Sequence, residues 1–227
     1  IKTAAAGSVM KTLRYIAPLC LISLALLCRA EELVIVENGK TTATIVVSAN
    51  AGVWEKRAAT DLAHYIELMS GALPAVADAP GNGPAFFVGA AALAAEPALK
   101  QALDAVVKKN PIVRADAIVM RRSAQRVYLA GSNDESHYFA VAQLLQDWGC
   151  RWYVPTEFGE CIPEQPRLAL GSLDRAYAPP FEIRHYWLSW NADSTDAREF
   201  RRRNFMTETS MDGMGHALGH FTKKLTP

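Results

Sequence analysis

Apolar residues keep two rhythms between Glu31 and Leu173, one of period two and one of period 3.6. The β-rich runs Leu33-Val34-Ile35-Val36 and Thr44-Ile45-Val46-Val47 flank Asn38-Gly39, a strong hairpin-type turn signal. Ala58, Ala59, Leu62, Ile66 and Met69 then recur at helical spacing, with Gly71 and Pro74 as stop signals. Pro80-Gly81-Asn82-Gly83-Pro84 precedes a strand at Ala85-Phe86-Phe87-Val88, and an alanine-rich helix is expected over residues 97–108. The runs Ala117-Ile118-Val119-Met120 and Arg126-Val127-Tyr128-Leu129-Ala130 are expected to pair across residues 121–125. After Gly131, Asp134 or Ser132 caps a helix whose apolar stripe is Tyr138, Val141, Leu144, Leu145 and Trp148, and Gly149 ends it. Two helices on one face of a mixed sheet predict the α+β class: a two-layer α/β sandwich, with no internal repeat.

Beyond this block, residues 171–180 read as a linker and residues 181–187 as a strand. The following stretch WNADSTDAREFRRRNFM reads as a loop and a helix capped by Asp193 or Ser194. Asp196 sits early in that helix and Arg201-Arg202-Arg203 sit late, as the helix dipole prefers. The arginine triplet is expected to be the solvated end of the helix.

Composition narrows the class. The chain has 227 residues, half of them hydrophobic, and a formal charge of +1, so it can bury a core and lacks the footprint of a nucleic-acid binder. Residues 1–9 have neither an initiator nor any pattern, and Met10 reads as the start. Lys11 and Arg14, the apolar run 16–27 and Cys28-Arg29-Ala30 have the form of a secretory signal over residues 10–30, with cleavage after Ala30. That run is short of the ~20 residues that span a bilayer, so a secreted or periplasmic protein, free of the membrane after cleavage, is expected. Cys150 and Cys161 remain in the mature chain, and either a disulfide or two free thiols fits their spacing.

The helix AATDLAHYIELMSGALP, the strand FFVGA and the unit DAIVMRRSAQRVYLAGSNDESHYFAVAQLLQDWGCRWYVP occur in an order similar to that of a glycosidase accessory domain. Over residues 34–163 the chain resembles the domain that precedes the catalytic barrel in bacterial α-glucuronidases and β-N-acetylhexosaminidases. The tail GCRWYVPTEFGECIP is similar to secreted, uncharacterised proteins that join this domain to an α-glucuronidase-like barrel. The resemblance implies an accessory domain over residues 31–174, then a linker and the first strand–helix unit of a truncated (β/α)₈ barrel over residues 175–227. A whole barrel needs about 250 residues, so the catalytic apparatus is expected beyond Pro227.

In that family a Trp-Asp-Asn motif follows an arginine and lines the sugar pocket. Arg184, Trp190 and Asn191 are the similar residues here, although Asn191 stands where the family has Asp and the spacing is one residue longer. A Trp face stacks on a sugar, and Arg grips a carboxylate in bidentate fashion. Gly215-His216-Ala217-Leu218 is similar to a segment after the first barrel helix, which makes His216 a further sugar-facing candidate beside a plain turn histidine.

Other motifs carry less. His216 and His220 have zinc-ligand spacing, but Ala217 replaces the glutamate that a hydrolytic zinc helix needs, so no metal and no cofactor is expected. Gly131-Ser132-Asn133-Asp134 lacks a phosphate-loop pattern and reads as a cap. His64 and His137 read as structural. Glu157 and Glu160 are close in sequence but lie in the accessory domain, remote from the pocket the barrel is expected to form, so no catalytic residue is assigned. Two classes remain. The favoured one is the N-terminal, itself inactive portion of a secreted glycoside hydrolase acting on uronic-acid-bearing polysaccharide. The alternative is a non-catalytic carbohydrate-binding or scaffold module.

Overall fold

The computed structural model describes residues 32–186 and 194–207, and the described residues from Leu33 onward belong to one compact unit. The strands are β1 (Leu33–Glu37), β2 (Thr44–Val46), β3 (Ala75–Ala77), β4 (Ala85–Val88), β5 (Ile118–Ser123), β6 (Arg126–Gly131), β7 (Arg151–Trp152), β8 (Glu160–Cys161), β9 (Arg167–Leu170) and β10 (Asp174–Tyr177). The helices are α1 (Val53–Ser70), α2 (Ala90–Ala95), α3 (Ala98–Val106), α4 (Asp134–Asp147) and α5 (Thr195–Arg203).

Six strands form one mixed sheet in the order β10-β5-β6-β4-β2-β3. Its β3, β2, β4 and β6 run parallel, while β5 lies antiparallel to both β6 and β10. Alternation along the strands sends Ile45, Phe86, Met120 and Leu129 to one face, where Leu62 and Ile66 of α1 and Tyr138 and Leu144 of α4 cover them. The α+β sandwich is therefore as expected, with both long helices side by side on one face. The opposite face is covered too: α2 and α3 bring Ala92, Leu99 and Leu103 onto Val46, Phe87, Val119 and Tyr128. Every residue of β2 and β4 is buried, so neither face of these central strands can meet water.

Local signals and strand partners part company at several points. The Asn38-Gly39 turn forms, with φ of 51° and 69° and paired hydrogen bonds between Glu37 and Lys40. Yet β1 pairs with β9, and β2, buried at every position, lies between β3 and β4 inside the sheet. Residues 174–177, inside the expected linker, form the edge strand β10. No strand forms among residues 181–186, whose polar atoms bind elsewhere. The Glu182 carboxylate accepts backbone N–H bonds from Ile112 (2.9 Å), Val113 (2.7 Å) and Arg114 (3.2 Å) and pairs with Lys108.

The cap of α4 is Asn133, whose side chain accepts the Ser136 N–H at 2.9 Å. Ser132 instead links the Ala115 carbonyl and the Ala117 N–H. Asp134 turns to α1, accepting the N–H groups of Trp54 (3.1 Å) and Glu55 (3.0 Å). Of the two expected caps of α5, Ser194 fills the position, its hydroxyl accepting the Ala197 N–H. Both mature cysteines are free thiols, Cys150 buried and Cys161 exposed, and burial pushes the Cys150 thiol up to about 12.

Candidate functional site

Arg57, Asp61, His64 and Tyr65 lie on one flank of α1 at helical spacing. The β7–β8 hairpin faces them with Trp152 and Glu160, joined by a 3₁₀ turn at Glu157–Gly159, and α5 closes the third side. Together they enclose a cleft of about 480 Å³. The Trp152 indole N–H donates to the Tyr65 hydroxyl (2.9 Å), which donates to Glu160 Oε1 (2.7 Å). Arg203 donates to the same Glu160 oxygen (2.9 Å) and to Glu199 Oε2 (3.1 Å), with its Nε 3.5 Å from Asp61 Oδ2. Arg57 completes the circuit, bridging Asp61 (2.9 Å) and Glu199 (2.8 Å). Asp61 also accepts the buried Tyr138 hydroxyl.

Burial raises the Tyr65 hydroxyl above its ordinary range, and it raises Glu199 as well. Burial works against the charge of Arg203, but the tyrosyl and Asp61 groups around it more than offset that and keep it protonated. Three carboxylates thus meet two guanidinium groups, with Glu157 and Asp196 at the rim. The cleft is net negative and disfavours a carboxylate ligand. Carboxylate-pair hydrolysis needs one group holding a proton and one free as base or nucleophile. Glu160 and Glu199 both accept from Arg203, so the arrangement fixes α5 against α1 and the hairpin.

A second ionic cluster surrounds Asp116, just before β5. Its carboxylate accepts from Arg114 (2.9 and 2.7 Å), Arg184 (2.7 Å), Asn133 (2.9 Å) and Ser136 (3.0 Å). Burial pushes the Asp116 carboxyl up, but the bonds from Arg114, Asn133 and Arg184 outweigh it and hold it at about 2. Arg114 also reaches Glu135 (2.7 Å), whose other oxygen takes Arg202 (3.0 Å). Arg202 is fully buried, with its guanidinium 4.5 Å over the Trp54 ring.

Of the residues predicted to meet substrate, Arg184 alone is among the described ones. Besides Asp116, its guanidinium donates to the carbonyls of Phe205 (2.6 Å) and Phe181 (2.7 Å) and stands over the Phe139 ring. Trp190, Asn191 and His216 lie outside the described residues. Glu157 and Glu160 both line the cleft. One expectation changes: the Arg201-Arg202-Arg203 triplet is buried or nearly so, since acidic groups from α1, α4 and β8 draw it inward. The i,i+4 pairs Arg57/Asp61 and Glu199/Arg203 were signals for this network, but they also suit an exposed helix face.

No protein-family model and no curated protein matches the chain. Among solved structures, it is similar to a family GH115 4-O-methyl-α-glucuronidase with specificity for decorated arabinogalactans. The match has 16% identity and a TM-score of 0.51, and covers 67% of this chain and 19% of the enzyme. The chain therefore spans about a fifth of that protein's length, and the likeness is one of fold.

Proposed function

We propose that this chain is part of an exported glycoside-hydrolase-related protein, and that its α+β sandwich is a support on which the sugar-cleaving part is mounted. The observation that carries this reading is the fold shared with an α-glucuronidase over two thirds of the chain. The substrate proposed for the whole protein is a uronic-acid-bearing polysaccharide, contacted by Trp190, Asn191 and His216 in a pocket completed by further chain. The Arg184 guanidinium already donates to Asp116 and two carbonyls. Residues 10–30 serve as the export signal, and sequencing of the secreted protein from Glu31 checks that part.

The decisive assay uses this 227-residue chain and the same chain extended by its natural continuation. The extended protein is expected to release uronic acid from glucuronosylated arabinogalactan or glucuronoxylan fragments, and the shorter one none. Absence of release by the extended protein on either substrate sinks the hydrolase reading. A second reading, a non-catalytic sugar-binding module, is favoured by Phe158, 96% exposed at the rim of the polar cleft. Calorimetry with neutral tetrasaccharides separates the two. Saturable binding by the 227-residue chain, lost in Phe158→Ala, supports the module, and no heat of binding removes it.

A further inference from the structure

The segment between Arg184 and Thr207 is closed at its base. The Thr207 N–H donates to the Arg184 carbonyl (2.7 Å), and the Arg184 N–H donates to the Thr207 hydroxyl (3.3 Å). From that base three arginines enter carboxylate sockets on the sandwich: Arg184 at Asp116, Arg202 at Glu135, and Arg203 at Glu160 and Asp61. Apolar and neutral contacts fill the space between them. Phe200 joins the core cluster, Phe205 meets Phe139 at 5.9 Å, and Asn204 donates to the Trp152 carbonyl at 3.1 Å.

We infer that α1, the first turn of α4 and the β7–β8 hairpin form a docking surface for an arginine-bearing helix, and that α5 is its occupant. The described part of the 184–207 segment then opens and closes as one unit with the sandwich, whatever chain follows Thr207. A nine-residue helix is too short to be stable alone in water, so its order must come from the surface that holds it. Removing one partner of a buried ion pair leaves an uncompensated charge in low dielectric, which makes each socket hard to vacate singly. Such pairs are screened little by salt, unlike exposed ones. This inference stands apart from the proposed function and holds under either reading of it.

Native-state hydrogen exchange on the full 227-residue chain tests it. Amides of α5 are expected to exchange through the same opening as those of α1 and α4, with protections that converge as denaturant is raised. Adding 1 M NaCl should leave that protection nearly unchanged. Glu135→Gln, which removes the charge that Arg202 and Arg114 share while Arg202 keeps its bond to the Met206 carbonyl, should speed exchange in α1, α4 and α5 together by roughly 10–100-fold. An α5 that exchanges in the unaltered protein by a separate opening, a hundredfold or more faster than α1 and α4, overturns the inference without any variant. So does a Glu135→Gln effect confined to α5.

Discussion

At the scale of single residues, close backbone approach sets the sharpest constraints. A Cβ at Gly131 would lie 2.3 Å from the Ser136 carbonyl carbon and 2.4 Å from its Cβ, where the end of β6 meets the first turn of α4. Backbone cannot yield as a flexible side chain can, so Gly131→Ala should cost about 1–3 kcal/mol, the range for overpacked cores. That corresponds to a melting point roughly 2–10 °C lower for a chain of this size. At Gly171 an added methyl would meet nothing within 4 Å and the φ is ordinary, so Gly171→Ala should leave the melt within about 2 °C. Equal melting points for the two variants would show that β6 and α4 are not so tightly apposed.

Among the elements, the start of α1 depends on a residue 80 positions away. Gly52 supplies no side-chain cap, and Asp134 accepts the first free N–H groups of α1 instead. Asp134→Ala should therefore cost about 1–2 kcal/mol, as loss of a helix cap does, and speed exchange at the Trp54 and Glu55 amides first. Asp134→Asn keeps an acceptor oxygen and should recover part of the loss. If Ala and Asn variants melt alike and the two amides stay protected, Asp134 is not the cap.

Across the molecule as a whole, buried charge shapes the response to acid. Asp116 is held at about 2, below the usual value near 4, so its contribution is complete above about pH 4 and is lost as pH falls from there through 2. A shift of that size corresponds to about 2–3 kcal/mol. Burial also lowers His137, whose ring accepts the Gly131 N–H at 2.8 Å, so its share is present above about pH 6.5 and is lost below it. Glu55 and Glu199, raised by burial, act in the opposite sense and lose their share as pH climbs past their unfolded values. Denaturant melts between pH 8 and 2.5 should show stability falling in two stages, below about 6.5 and again below about 4. Glu182, held down to about 2 by Lys108 and three backbone N–H groups, shares that window. Asp116→Asn should therefore shrink the second stage without abolishing it, and an unaltered acid limb in that variant would assign the loss to other carboxylates.

Local elements were legible in the chain itself. Period and punctuation located α1, α4, β4, the β5–β6 hairpin and the Ser194 cap, because a 3.6-residue apolar stripe or a turn dipeptide acts within a few residues of itself. Partnership was not legible there, and packing alone settled it. The Asn38-Gly39 turn forms as its residues dictate, yet β1 pairs with distant β9 while the buried β2 takes an interior place between β3 and β4. The arginine triplet of α5 has the form of a solvated helix end in any window of sequence. Its burial depends on Asp61, Glu135 and Glu160, which come from three separate elements and are brought together only when the sandwich packs. Charge on a helix face has no sign of inward or outward until its counter-charges are placed in space.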